Sequence, residues 1–164
     1  MLDGFARSIT YLRISITDRC NYRCRYCMPD AGIEKCAHGD ICSLEELRDM
    51  AAAAVRCGVR KIRVTGGEPL LHADMPEFLA RVKELGYKIK LDTNGSNPEL
   101  LSEIVKNKLV DRVAMDIKNA PEEYARTIGL KSFDIAPVER SKEMLLRGDI
   151  DYEFRTTVVK GIHT

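Results

Sequence analysis

The sequence lacks a charge excess of either sign and any long apolar run. Its 26 Lys and Arg residues are matched by 25 Asp and Glu residues, which leaves a formal net charge of +1. This balance gives no electrostatic indication of binding to nucleic acid or to a membrane surface. The longest apolar stretch, AAAAV at 51–55, is far shorter than the roughly 20 residues that a membrane-spanning helix needs. The N-terminus also lacks the apolar core of a signal peptide, so we expect a cytoplasmic protein that binds neither membranes nor nucleic acid.

Internal repeats, low-complexity tracts and linkers are absent from the 164 residues as well. This length is sufficient for one domain with its own core and short for two, so we predict a single domain over residues 1–164. Six cysteines are present. In a reducing cytoplasm, clustered cysteines bind metals or take part in redox chemistry more often than they form disulfides. The cysteines therefore indicate a metal ion or an iron–sulfur cluster.

Alternating apolar runs and helix-periodic runs follow one another along the chain, which is typical of βα units in a parallel sheet. Five strands and four helices are predicted. Ser43 and Glu46 stand at capping-box spacing and mark the start of the first helix. The strands are predicted at 12–17, 61–65, 88–93, 111–118 and 151–159, and the helices begin near Leu44, Met75, Leu100 and Ile135.

In every predicted strand the residues on one face are polar, because successive side chains alternate between the two faces of a sheet. Apolar residues such as Ile14 and Ile62 occupy the other face, where helices would cover them. A closed eight-stranded barrel fills its interior with branched apolar residues, so a polar and mostly basic interior predicts a partial (β/α) barrel with a wet cleft that suits anions. An antiparallel sheet with one solvated face is the alternative. The polar sets are Arg13, Ser15, Thr17; Lys61, Arg63, Thr65; Lys88, Lys90, Asp92; Arg112, Asp116, Lys118; and Glu153, Arg155, Thr157.

Unusual residues follow or close the first four predicted strands. Three cysteines follow the first strand, GGEP (66–69) follows the second, TNG (93–95) follows the third, and MDIK (115–118) closes the fourth. In parallel βα folds, ligands bind beyond the C-terminal ends of the strands. The sequence therefore predicts one functional site at this edge of the sheet.

The three clustered cysteines, Cys20, Cys24 and Cys27, lie in the stretch TDRCNYRCRYCMP. A structural zinc site normally closes with four ligands, whereas a four-iron cluster held by three thiolates keeps one iron open for an outside ligand. The C-x3-C-x2-C spacing, with Tyr26 before the last cysteine, resembles the radical S-adenosylmethionine (SAM) superfamily. The resemblance implies a [4Fe–4S] cluster on these three cysteines and S-adenosyl-L-methionine on the open iron. It further implies reductive cleavage of S-adenosylmethionine to methionine and a 5′-deoxyadenosyl radical.

The other residues at the strand ends fit the same cofactor. Gly66 and Gly67 lack side chains, so their backbone can approach a ligand closely, and the family's GGE motif implies that Glu68 binds the ammonium group of S-adenosylmethionine. Taken alone, GGEP is equally typical of a tight turn. The ribose, the methionine carboxylate and the adenine side are assigned by the resemblance to Thr93, Asn94, Asp116, Lys118 and Tyr26.

The remaining cysteines have less specific surroundings. Cys36 and Cys42 follow the motif with His38 between them, and in a zinc site any of the three could supply a fourth ligand. Cys57 ends a helix on what looks like its buried side, where we expect a small apolar packing role.

Residues 1–70, including RKIRVTGGEPL and H-x-D-I-x-S-x-E-E, resemble the N-terminal part of the GTP 3′,8-cyclase of molybdenum cofactor biosynthesis. That resemblance implies GTP as the substrate and implies that Arg13, Lys61 and Arg63 hold its triphosphate. All three residues fall on the polar face of the predicted strands. The family has apolar residues at the positions of Cys36 and Cys42, which favours a packing role for both.

Residues 75–164 resemble instead an anaerobic ribonucleoside-triphosphate reductase activating protein, a glycyl-radical activase, in KIKLDTNGSNPELL, LVDRVAMDIKNAPEEYARTIG and YEFRTTVVKGIHT. Asp92 and Ala114 replace hydroxyl residues of the cyclase, and the Asp116 to Lys118 pair follows the activase pattern. The cyclase family carries a second, C-terminal cluster that binds the base of GTP, and this sequence ends before any such cysteines. We therefore expect a radical SAM core domain that is C-terminally incomplete and truncated after about the fifth strand.

These observations predict a radical SAM enzyme with either a cyclase-like or a glycyl-radical activating function. The expected partners are GTP or a glycyl-radical enzyme, together with an electron donor of the flavodoxin or ferredoxin type. Outside the enzymes, the alternative is an iron–sulfur or zinc binding fragment. The visible absorbance of iron–thiolate bonds after anaerobic reconstitution distinguishes a cluster from zinc.

Overall fold

The computed structural model describes residue 2 and residues 4–28 and 41–163. Within these ranges, five strands form one sheet in the order β1-β2-β3-β4-β5. Every pairing between neighbours is parallel, which confirms the predicted α/β fold with its open, partial barrel and excludes the antiparallel alternative. The strands are β1 (Tyr11–Ser15), β2 (Lys61–Thr65), β3 (Lys88–Thr93), β4 (Arg112–Asp116) and β5 (Asp151–Arg155).

Five α-helices accompany the strands in the described part of the chain, one more than predicted. The unpredicted helix, α4, has seven residues and buries only Tyr124 and Thr127, so it shows no apolar stripe in the sequence. The predicted capping box is confirmed, because the Ser43 side chain accepts from the Glu46 backbone N–H while the Glu46 carboxylate accepts from the Ser43 N–H. The helices are α1 (Leu44–Arg56), α2 (Met75–Glu84), α3 (Pro98–Lys106), α4 (Pro121–Thr127) and α5 (Ala136–Leu146), with a short 3₁₀ helix at Pro69–Leu71.

The apolar face of the sheet forms the core with the helices. Ile62, Val64, Leu91 and Val113 are fully buried on this face, and α1 packs beside α2 while α3 packs beside α5. Burial of these side chains removes apolar surface from water, which is the main stabilising contribution to such a fold. The opposite, polar face of the sheet is left for the site described below.

The last two strands are shorter than predicted. β4 ends at Asp116 instead of residue 118, and β5 ends at Arg155 instead of residue 159. The pairing stops where the partner strand stops, since the register ends with Asp116 opposite Arg155. Among the described residues, no helix is long and apolar enough to cross a membrane.

Candidate active site

The cysteine loop, residues 16–28, follows β1 and is attached on one side to the segment after β2. Gly67 N–H donates to the Thr17 carbonyl at 2.8 Å, and Glu68 N–H donates to the Arg19 carbonyl at 2.8 Å. A Cβ atom at Gly67 would lie 2.1 Å from the Arg19 oxygen, and one at Gly66 would lie 2.5 Å from the Thr17 oxygen. The two glycines therefore permit a close approach to this chain's own backbone, which is an additional reason for glycine besides the predicted approach to a ligand.

On its other side the cysteine loop is attached to the end of α4. Arg23 N–H donates to the Ile128 carbonyl at 2.8 Å, and Arg25 N–H donates to the Thr127 carbonyl at 3.2 Å. Gly129 has a φ of +70°, and a Cβ atom there would lie 2.2 Å from the Arg23 oxygen. We call residues 127–129 the α4 clamp, because they hold the segment between Tyr22 and Tyr26 that carries the second cysteine.

Aromatic packing beneath the loop supports the same arrangement. Tyr22 is buried, and its ring meets Tyr124 of α4 at 6.5 Å and Phe133 at 5.4 Å, both edge-to-face. Tyr124 stacks on Phe133 with ring centroids 5.4 Å apart. Such aromatic pairs stabilise beyond their buried area, so the loop is anchored by side chains as well as by backbone.

All three predicted ligand cysteines line a cavity of about 730 Å³ at the C-terminal ends of the strands. Cys24 is buried, Cys20 is half-buried and Cys27 is exposed. Burial raises the pKa of the Cys20 thiol, and it raises the pKa of the Cys24 thiol to about 11. These thiols therefore hold their protons near neutral pH, and a bound metal must displace the protons when it binds.

The described residues do not form a mononuclear metal site by themselves. In the described ranges, no group of three or more His, Cys, Asp or Glu side chains is placed to hold a single metal ion. The thiolates of a four-iron cluster bind separate irons, so they need not converge on one point. Cys42 is exposed and lines another cavity, of about 590 Å³, beside the start of α1. Cys36 and His38, the other candidates for a fourth zinc ligand, lie outside the described residues.

The expected packing role of Cys57 is wrong. Cys57 is the C-cap residue of α1 and its side chain is exposed. The helix ends one residue earlier, so the side chain falls beyond the buried stripe that Leu47 and Ala51 form.

Glu68 is held at the back of the cavity by three hydrogen bonds from the protein. Its Oε1 atom accepts from Leu70 N–H at 3.0 Å and from the Thr93 hydroxyl at 2.8 Å, and its Oε2 atom accepts from Asn94 N–H at 2.6 Å. A carboxylate has about four acceptor positions, so one position remains on Oε2 for a ligand. Burial raises the pKa of Glu68 to about 7, although the three hydrogen bonds act in the opposite direction.

The raised pKa of Glu68 predicts a pH dependence of stability. The folded protein binds this proton more tightly than the unfolded chain, so the stabilising contribution is complete below pH 4.5 and is lost as pH rises towards 7. Between these limits the free energy of unfolding should fall by roughly 2–3 kcal/mol relative to a Glu68→Gln variant, which carries no ionisable group there. Urea unfolding at several pH values measures both curves, and parallel curves would contradict the assignment.

The segment after β3 supplies polar groups that are already engaged with neighbours. The Asn94 amide donates to the Asn21 side chain at 2.8 Å and accepts from Ser96 N–H at 2.9 Å. The Thr93 hydroxyl, besides its bond to Glu68, accepts from Gly95 N–H at 3.1 Å. Thr93 and Asn94 line the cavity with Glu68, so these bonds fix their orientation towards a ligand.

Asp116 and Lys118 also line the cavity and form an ion pair at 3.0 Å. Burial alone would lower the pKa of Lys118, but the neighbouring Asp116 carboxylate raises it above its ordinary value. Lys118 is therefore charged at any physiological pH. Its Nζ lies 5.8 Å from the centre of the Tyr26 ring, whereas Tyr26 itself is not among the residues that line the cavity.

A network of ion pairs crosses the polar face of the sheet from β2 to β5. Arg63 Nε donates to Asp92 Oδ2 at 2.7 Å, and Arg155 NH1 reaches the same oxygen at 3.2 Å. Arg155 Nε then donates to Asp116 Oδ1 at 3.0 Å. The interior is therefore less basic than the sequence predicts, because acidic residues on neighbouring strands compensate the arginines.

The three residues predicted to hold a triphosphate are placed differently. Arg13 and Arg63 are register partners on β1 and β2 and both line the cavity. Lys61 is exposed at the first position of β2 and is not among the lining residues. It stands at the amino end of the strand, and its role as a triphosphate ligand stays a prediction.

Sequence reasoning missed two features of this site. Arg155 appeared only as part of a polar face, although it lines the cavity and joins two carboxylates. Gly129 belongs to no motif in the sequence, although it lies against the cysteine loop. Neither role has a local signal, since each depends on a contact with residues far away in the chain.

Comparison with protein-family models identifies the class of protein to which this fold and cavity belong. The sequence profile described as the radical SAM superfamily matches residues 14–163. Because the match covers most of the chain, this chain belongs to the radical SAM superfamily.

Within the superfamily, this chain is similar to curated GTP 3′,8-cyclases. A GTP 3′,8-cyclase of Geobacter sulfurreducens is 54% identical over 97 residues, covering 58% of this chain and 30% of the cyclase. A GTP 3′,8-cyclase of Clostridium botulinum is 37% identical over 166 residues, covering 99% of this chain and 52% of the cyclase. The chain therefore spans about a third to a half of the length of these curated relatives. The likeness to the cyclases also extends beyond the first 70 residues.

Among solved structures, native anSMEcpe with bound AdoMet superposes with a TM-score of 0.68 at 20% identity. The superposition covers 90% of this chain and 44% of anSMEcpe. At this identity the similarity concerns the fold alone.

Proposed function

We propose that this chain binds a [4Fe–4S] cluster through Cys20, Cys24 and Cys27, and that it cleaves S-adenosylmethionine reductively in the same cavity. The observation that carries the proposal is that three thiols and Glu68 line the same cavity of about 730 Å³. That volume falls within the range of small-molecule sites, which is about 300–1,000 Å³. Three soft ligands fit a cluster with an open iron better than a closed zinc site.

Each cavity residue has a role that follows from its contacts. Glu68 offers its remaining acceptor position to the ammonium group of S-adenosylmethionine, and the hydrogen bonds from Thr93 and Asn94 hold the carboxylate in place. Lys118, charged beside Asp116, attracts the methionine carboxylate. When bound, the cluster supplies one electron that breaks a carbon–sulfur bond of S-adenosylmethionine, which gives methionine and a 5′-deoxyadenosyl radical.

Reductive cleavage is tested on the anaerobically reconstituted chain. With dithionite and S-adenosylmethionine, the chain should form 5′-deoxyadenosine and methionine in equal amounts. A Glu68→Gln variant should keep its iron and bind S-adenosylmethionine roughly tenfold or more weakly, because a charge-assisted bond to the ammonium is lost. A cluster-loaded wild type that forms no 5′-deoxyadenosine would support the alternative of an iron–sulfur binding fragment.

The relatives favour GTP as the substrate. Two GTP 3′,8-cyclases align over 98% and 99% of this chain, and Arg13, which lines the cavity, is available for a phosphate group. If GTP is the substrate, deuterium should pass from ribose-deuterated GTP into 5′-deoxyadenosine. An electron donor of the flavodoxin or ferredoxin type would replace dithionite in the cytoplasm.

Activation of a glycyl-radical enzyme is the second candidate, and one contact favours it. Arg63, a predicted triphosphate ligand, is bonded to Asp92 at 2.7 Å. A substrate glycine in a partner protein carries no phosphate, so this pairing would not hinder it. Under this proposal GTP gives no deuterium transfer, and a glycyl radical appears on the partner when the two proteins are mixed under reducing conditions.

A further inference from the structure

One oxygen of Asp92, a residue of β3, accepts hydrogen bonds from side chains on two other strands, β2 and β5. Asp92 Oδ2 accepts from Arg63 Nε at 2.7 Å, from Arg155 NH1 at 3.2 Å and from the Thr65 hydroxyl at 3.3 Å, and the NH2 group of Arg63 also contacts it. Only 8% of the Asp92 side chain is exposed. A carboxylate this enclosed is screened little by water, so its hold on the two arginines is strong.

Arg13 differs from its register partner Arg63 in the contacts of its side chain. The two residues stand opposite each other on β1 and β2 and line the same cavity. Arg13 is exposed, and in the described part of the chain nothing is bonded to its side chain. Lys118 and Arg155 are held by Asp116 and Asp92. Of the four cavity cations described above, Arg13 alone has no ion-pair partner among the described residues.

We propose that Asp92 is a specificity-determining residue, which withholds Arg63 from the substrate and makes the cavity select against polyphosphates. A triphosphate that binds the Nε and NH2 groups of Arg63 must displace Asp92 from them and leave a buried carboxylate partly unpaired, which is costly. The cavity therefore favours a substrate of little negative charge. This inference rests on the proposed function only in taking the cavity as the substrate site, and of the two candidate substrates it favours the glycine of a partner protein over GTP.

The first test compares two arginines in otherwise wild-type protein. Affinities for GTP and for inorganic tripolyphosphate are measured by calorimetry on reconstituted wild type, Arg13→Ala and Arg63→Ala. Arg13→Ala should weaken binding roughly tenfold, because it removes a free charge-assisted contact. Arg63→Ala should weaken it about threefold or less, because only a long-range charge is lost. The two variants lose the same charge from neighbouring strands, so equal losses would overturn the proposal.

The second test removes the carboxylate that pairs with Arg63. Asp92→Asn should tighten tripolyphosphate binding roughly tenfold, and in that background Arg63→Ala should now cost as much as Arg13→Ala. Asp111→Asn is the matched control: it changes the net charge equally, but Asp111 pairs with Lys83 and Lys88 outside the cavity, so it should leave affinity unchanged.

Several outcomes would contradict the role of Asp92. If Asp111→Asn tightens polyphosphate binding as much as Asp92→Asn does, the effect comes from net charge. If the tighter binding of Asp92→Asn persists when Arg63→Ala is added, it comes from a contact other than Arg63. If wild type binds no detectable polyphosphate, a measurable affinity in Asp92→Asn supports the proposal, and its absence overturns it. If Asp92→Asn does not fold by circular dichroism, the comparison of Arg13 with Arg63 decides. Binding is read without turnover, so failure of S-adenosylmethionine cleavage would contradict the proposed function and leave this inference standing.

Discussion

Replacing any one of Cys20, Cys24 and Cys27 by alanine is expected to remove the iron–sulfur cluster. Wild type should hold about four iron atoms per chain after anaerobic reconstitution, and each variant should fall close to zero, because two thiolates cannot hold the cluster in place of three. All three thiols line the same cavity, so no other described cysteine can replace a lost one. Iron and sulfide analysis and the visible absorbance spectrum measure the effect.

Cys42→Ala and Cys57→Ala are the matched controls for this prediction. Both side chains are exposed and neither lines the cavity, so both variants should retain the wild-type iron content and spectrum. Loss of iron in either control, or full iron in Cys24→Ala, would show that the cluster has other ligands. Zinc bound in place of iron at wild-type cysteines would favour the alternative of a zinc binding fragment.

A Gly129→Ala substitution should produce a large loss of stability. The left-handed φ of +70° costs about 1–2 kcal/mol for a residue with a Cβ atom. The added Cβ would also lie 2.2 Å from the Arg23 oxygen, and relieving such an overlap in a packed region costs about 1–3 kcal/mol more. Since Arg23 belongs to the cysteine loop, the variant should also take up less iron.

A Gly148→Ala control separates the cost of the left-handed backbone from the cost of the steric overlap. Gly148 has a φ of +82°, close to that of Gly129, but a Cβ atom there would meet nothing within 4 Å. This control should lose only the conformational part, about 1–2 kcal/mol, and should keep its iron. Urea unfolding of the apo proteins and iron analysis after reconstitution check both expectations. If the two substitutions change the free energy of unfolding and the iron content equally, the α4 clamp does not hold the cysteine loop.

Most of the fold could be predicted from the sequence, because its signals are local. Alternation of polar and apolar residues marks each strand, and a stripe of apolar residues marks α1, α2, α3 and α5. Helix α4 gives no such signal, since only Tyr124 and Thr127 are buried in it. The three candidate ligands Cys20, Cys24 and Cys27 could also be proposed from the sequence, because three thiols within eight residues need no knowledge of the fold.

The electrostatic state of the cavity could not be predicted in the same way. Arg63, Asp92 and Arg155 were all placed on the polar face, but whether they pair depends on the side-chain directions of three different strands. The polar faces alone made the interior look basic, and the ion pairs change that conclusion.

The α4 clamp has a consequence for the order of events during synthesis. The cysteines leave the ribosome roughly a hundred residues before Gly129, and at about 5–20 residues per second this interval lasts on the order of 5–20 s. Until α4 has docked, the Arg23 and Arg25 amides lack the partners that fix the loop. The nascent chain therefore exposes its thiols before the loop can take its final shape, and insertion of the proposed cluster should follow the synthesis of α4.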